Sequence, residues 1–103
     1  MRMVLCTVPD DATAARIARS LVEEGLAACV NRLPVASTYA WQGRICEDSE
    51  VLLLVKAGAS RYAALEARLV ELHPYDLPEV IAFDTDAGLD RYLAWAESAV
   101  PHD

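Results

Sequence analysis

The residues His73-Pro74-Tyr75-Asp76-Leu77-Pro78-Glu79 place an imidazole, a phenol and two carboxylates within one short, proline-bounded stretch. Proline fixes φ and pushes the residue before it towards extended backbone. A loop stiffened in this way holds its polar groups in place, and such loops often carry function. The plainer reading is that Pro74 stops a helix and Pro78 starts an edge strand. Three cysteines, Cys6, Cys29 and Cys46, are the other reactive groups. They are odd in number and lack CxxC spacing, so reduced thiols are expected rather than disulfides or a zinc finger. Cys6 and His73 could nominally pair as nucleophile and base. No third orienting group or oxyanion element can be named beside them, and the four glycines are isolated, so there is no Gly-rich phosphate loop. The chain is therefore read as a non-enzyme. No loop gathers the several oxygens that magnesium or calcium would need.

The elements that must hold these groups follow from hydrophobic period. Arg2 to Val8 is mostly apolar and reads as a buried strand. Asp10 or Asp11 can cap a helix in which Ala14, Ile17, Ala18, Leu21 and Val22 share one face, and Gly25 is its natural stop. Residues 28–41 are extended, with Cys29, Leu33, Val35, Tyr39 and Trp41 on one parity and a bend or bulge expected at Pro34. Gln42-Gly43 makes a hairpin turn into a strand over about 45–57. Ser60 is expected to cap a second helix ending near Leu72. A short strand over about 79–83 and a third helix marked by Leu89, Tyr92, Leu93 and Ala96 complete the chain, with Pro101-His102-Asp103 as a frayed tail. The order β-α-β-β-α-β-α, with a hairpin joining two βαβ halves, predicts an α+β ferredoxin-like βαββαβ sandwich carrying an extra C-terminal helix and a long central β-hairpin.

That sandwich leaves two problems for a lone chain. Each hairpin strand can reach about 40 Å at ~3.3 Å per residue. A helix of this length covers only about 20 Å at ~1.5 Å per residue, so the hairpin must overhang. In addition, Val51-Leu52-Leu53-Leu54-Val55 is apolar at both parities, so both sheet faces need cover and the helices supply one. A further copy of the chain is the simplest cover, and pairing strands in a closed oligomer removes an aggregation hazard. The 103 residues form one domain, 1–103, and their 54% hydrophobic content exceeds what a small monomer's core needs. The net charge of −7, with arginines spread along the chain, argues against nucleic acid as a partner. No apolar run approaches the ~20 residues of a membrane span. Residues 1–6 lead directly into a strand pattern without a signal-peptide cleavage region, so a cytoplasmic location is expected.

Leu26-Ala27-Ala28-Cys29-Val30-Asn31, then Pro34, Ser37, Tyr39, Trp41 and Gly43, then Glu50 and Lys56, then His73-Pro74-Tyr75 and Pro78-Glu79, and finally Tyr92-Leu93-Ala94-Trp95, follow one another in a recognisable order. In these motifs the chain resembles the CutA family, the divalent-cation tolerance proteins, from Val4 to about Trp95. The resemblance implies a ferredoxin-like subunit in a very stable homotrimer, similar in architecture to PII-type signalling proteins, and a part in tolerance to copper and other divalent metals. It also implies metal ligands at Cys6 and His73; Glu79, beside Pro78, is by its position a candidate for an added carboxylate, against the plainer reading of a strand-start residue facing water. Thiolate and imidazole suit copper(I), which two or three soft ligands satisfy. Some members carry a second histidine directly before the one matching His73, where this chain has Leu72. Against the metal reading stand Cys6 as a small buried hydrophobe and His73 as a helix-end donor to a backbone carbonyl. Two other functions remain open: a PII-like trimeric sensor with a small molecule in an inter-subunit cleft, and a structural trimer that scaffolds a partner protein. Tyr39, Trp41, Tyr75 and Trp95 are read as subunit contacts or pocket lining, and Glu50 with Lys56 as groups on one strand face.

Overall fold

The computed structural model describes residues 1–99; the tail 101–103 lies outside them. The elements run β1 (Arg2–Val8), α1 (Asp11–Glu23), β2 (Cys29–Trp41), β3 (Arg44–Ala57), α2 (Tyr62–Leu72), β4 (Ile81–Asp84) and α3 (Asp90–Ser98). Four antiparallel strands pair in the order β2-β3-β1-β4, the ferredoxin-like arrangement with an additional helix.

Each end of α1 is fixed by local chemistry. Asp10 accepts from the Thr13 N–H at 2.8 Å, and that bond holds its carboxyl below the usual range. At the other end Gly25 takes φ 72°, a left-handed conformation that side chains disfavour. The Gly25 N–H then reaches Val22 O and the Leu26 N–H reaches Leu21 O, the paired bonds of a Schellman stop. Ser60 does not cap α2 as expected. It falls inside a single tight turn, Ala59–Arg61, that leads into the helix without a side-chain cap. Arg61 donates instead to Gly25 O at 3.1 Å and Ala99 O at 2.6 Å, joining the ends of α1 and α3.

The hairpin turn has φ 50° at Gln42 and φ 77° at Gly43, and two successive positive values are what a two-residue turn matched to strand twist requires. From Trp41↔Arg44 back to Cys29↔Lys56 the β2–β3 register is continuous, so Pro34, opposite Val51, makes no bulge. β2 is an edge strand, and an edge strand accommodates the missing N–H without breaking the ladder.

Register also decides which side chains are covered. Val4, Cys6 and Val8 stand opposite Val55, Leu53 and Val51, and all of these are buried with Ile17, Leu21, Leu65 and Leu69 of the helices. The alternate residues form a second face that the two main helices leave open. On it Leu33, Phe83 and Ile81 are 41%, 50% and 53% exposed, large apolar groups in water. β1 pairs with β3 only through Val51–Ala57, so residues 44–50 and their β2 partners project past the body of the sheet. The projecting hairpin and the bare second face are the two features expected from strand length and apolar parity.

Candidate functional site

The proline-bounded loop passes across the C-terminal end of β1. There β4 pairs only with Arg2–Leu5, so the last residues of β1 have no β4 partner. The Thr7 carbonyl at this point accepts from His73 Nε2 at 2.8 Å, although the two residues are 66 positions apart. His73 follows the last turn of α2, its own N–H bonded to Leu69 O, and the residue is 8% exposed.

The second ring nitrogen of His73 is also engaged. Nδ1 accepts from the Tyr75 N–H at 3.1 Å. A nitrogen that accepts carries no proton, and one that faces a carbonyl must donate. The two bonds together therefore assign the neutral imidazole with its proton on Nε2. The Tyr75 ring lies against His73 with centroids 4.7 Å apart and planes inclined by 47°. Its hydroxyl donates to Glu50 Oε2 at 2.7 Å. Burial, followed by the bond and charge of Glu50, pushes the Tyr75 phenol up. Glu50 is the first β3 residue beyond the β1 pairing, so Tyr75 ties the loop to the point where the hairpin leaves the body.

Cys6 lies within the helix-covered face, fully buried, with its Sγ 3.9 Å from the same Thr7 oxygen. Burial pushes its thiol up to about 12, and the negative charges of Glu79 and then Glu50 add to that effect. Of the candidate ligands expected from the sequence, Cys6 and His73 thus meet at one carbonyl, and Glu79 acts on Cys6 through its charge. Among the described residues no three His, Cys, Asp or Glu side chains form a ready metal cluster. The pair can suit a cation content with two soft ligands, but only after Cys6 loses its proton and His73 gives up a hydrogen bond.

Several other sequence candidates are dispersed. Cys29 and Cys46 are half-buried free thiols on the hairpin strands. Glu50 and Lys56 do share a strand parity but stand at opposite ends of the body; the Lys56 ammonium lies 6.0 Å above the Tyr92 ring. Trp95 packs with Tyr92 in α3, far along the sheet from Tyr75, so the four aromatics do not share a pocket. Tyr39 donates to Asp48 Oδ2 at 2.5 Å further along the hairpin, and that bond is the first cause pushing its phenol up to about 12. A shallow groove of about 500 Å³ between α1 and β2, lined by Ala15, Ala18, Arg19 and Arg32, contains none of the candidate ligands. Sequence reasoning missed the Thr7 carbonyl and the Tyr75–Glu50 link. Residue type gives no signal for the first. The second was detectable only as a carboxylate at the position where β3 turns from polar to apolar.

The family described as CutA1 divalent ion tolerance protein matches residues 2–99 of the chain. A divalent-cation tolerance protein CutA from Pectobacterium atrosepticum is 44% identical over 99 residues, 95% of this chain and 90% of the relative. One of the same name from Thermus thermophilus is 48% identical over 94 residues, covering 90% and 91% of the two chains. Among solved structures, the Thermus thermophilus divalent cation tolerance protein Cut A1 superposes with a TM-score of 0.92 at 45% identity, covering 98% of this chain and all of that one. The PII-like protein CutA from Nostoc sp. PCC 7120, in apo form, gives 0.90 at 40% identity, covering 94% of each chain.

Proposed function

The chain belongs to the CutA1 divalent ion tolerance family, and we propose that it serves tolerance by binding copper or another divalent metal ion weakly, as a cytoplasmic homotrimer. The observation that carries this reading is the meeting of the Cys6 thiol and the His73 imidazole at the Thr7 carbonyl, inside the negative field of Glu79 and Glu50. Cys6 supplies a soft thiolate once deprotonated, His73 supplies an imidazole nitrogen, and Glu79 supplies compensating charge. Such a pair selects a soft cation over magnesium or calcium. Both ligands must give something up, which keeps affinity low and makes uptake release a proton. The role is binding and not catalysis.

Association of copies is supported by the apolar second face and by the hairpin that projects past the sheet, and the number three comes from the resemblance to the family. Strand pairing between copies covers both at once. A second reading, a PII-like sensor holding a small molecule between subunits, is favoured by the polar groups Tyr75 and Glu50 at the hairpin root and Tyr39 and Asp48 further along it.

Copper(I) titration against a competing chelator tests the proposal, with Cys6→Ser, His73→Ala and Cys46→Ser alongside and each variant checked for native fold by circular dichroism. Saturable binding lost in the first two variants and kept in the third is the expected result. Binding that is absent, or that follows Cys46 alone, overturns it and moves the weight to the sensor.

A further inference from the structure

The start of β1 is held from two sides. Thr85 donates to the Met1 carbonyl from its N–H and from its hydroxyl, both at 3.1 Å. Arg2 pairs with Asp84 at 2.9 Å, and its guanidinium lies 5.0 Å from the Tyr62 ring centroid. The Met1 side chain is only 6% exposed, so its α-ammonium has a fixed place, 2.7 Å from Glu97 Oε1 in the last turn of α3. That bond first, and with it the Ala59 N–H and the charge of Arg61, holds the Glu97 carboxyl below its ordinary range. The carboxylate has room there because residue 58 is glycine: a Cβ would lie 2.8 Å from Glu97 Oε2 and 3.2 Å from the Glu97 carbonyl oxygen. Apolar burial does little for this helix. Ala96 is its one buried residue, while Leu89 at its start, Tyr92 and Trp95 are 73%, 38% and 48% exposed. α3 is therefore held to the body chiefly by polar contacts: the ammonium on Glu97, Arg61 on Ala99 O, and Lys56 against the Tyr92 ring.

We propose that, in the chain that starts at Met1, the α-ammonium is a lock on α3, so that an acyl group on this amine, or a residue placed ahead of it, loosens the helix. The lock is independent of the cation reading, since its groups lie apart from Cys6 and His73. An acylated amine is an amide: it carries no charge and keeps a single proton. Glu97 then loses its ion pair while its carboxylate stays beside Met1, held there by the closeness of residues 58 and 59. A part-exposed ion pair between two mobile side chains is worth little. This one differs because Thr85 and Arg2 fix the ammonium on the strand, and because the helix it holds has one buried residue of its own. Loosening α3 draws Tyr92 away from Lys56 and moves Trp95, which packs on Tyr92. The chemical state of one amine thereby alters the aromatic surface at this end of the molecule.

Full-length chains that differ only at the amine test the lock. They are made by joining a synthetic segment 1–28, free or acetylated, to residues 29–103 at Cys29, followed by refolding and comparison by hydrogen exchange. Acetylation is expected to speed exchange of the α3 amides about two- to fivefold while α1 and the central strands keep their rates. Glu97→Gln with a free amine should show a similar rise, and acetylating that variant should add little, because the two changes remove the same ion pair. A recombinant chain with two extra residues ahead of Met1, which needs no refolding, should match the acetylated one. Equal α3 exchange in the free and acetylated chains, or in the extended and unextended ones, overturns the lock. An acetylation effect as large in Glu97→Gln as in the parent also overturns it, because crowding and not the lost ion pair would then be the cause.

Discussion

At the scale of single residues, the site is set by protons. Cys6 is buried beside Glu79 and Glu50 and keeps its proton far above the ordinary thiol range of about 9, up to about 12. Below about pH 9 both folded and unfolded chains hold this proton, and it contributes no slope. Between about 9 and about 12 the unfolded chain releases it while the folded chain retains it. Native stability therefore falls as pH rises through that window, by up to about 1.4 kcal/mol per pH unit. Urea unfolding at about pH 8 and about pH 10.5 should show a smaller alkaline loss in Cys6→Ala than in the parent. Equal losses would refute the assignment; Tyr39 and Tyr75 are raised as well, so the comparison has to be between variant and parent. His73 shows how far residue type reaches. A histidine at a helix end suggests a backbone acceptor, and one is present. That the acceptor is Thr7, 66 positions away, depends on a contact between distant segments that no local pattern encodes, whereas the Tyr75 N–H reaches the other nitrogen within the loop itself.

At the scale of elements, legibility followed the period of the side chains. The alternation of Val4, Cys6 and Val8 and the one-faced stripe of α1 were readable because burial of one face imposes them. Gly25 and Gln42-Gly43 were readable because few residue types tolerate positive φ. Gly25→Ala should thus cost about 1–2 kcal/mol in denaturant unfolding without changing the fold; a neutral result would mean the α1 stop does not depend on the left-handed residue. Two local expectations failed for tertiary reasons. Pro34 needs no bulge because its strand lies at the sheet edge, which only pairing order reveals. Ser60 is displaced from the cap position because Arg61 anchors the turn to the ends of two other helices. Likewise β4 begins at Ile81 rather than Glu79, and its late start leaves Thr7 free for His73. The site exists because one strand is short.

At the scale of the whole molecule, the chain is unfinished as a monomer. Leu33, Ile81 and Phe83 lie on the face that the two main helices leave open, and a hairpin of two long strands extends beyond the body. The proposed closed association of copies would bury both. On the proposed reading, each copy carries one Cys6–His73 pair beside the root of its own hairpin. Native mass spectrometry of the protein with copper(I), beside His73→Ala, tests this most directly because it reads chains and cations together. The expected result is a three-chain species that gains three copper ions in the parent and none in the variant. A species of a single chain, or copper retained undiminished by the variant, would contradict it.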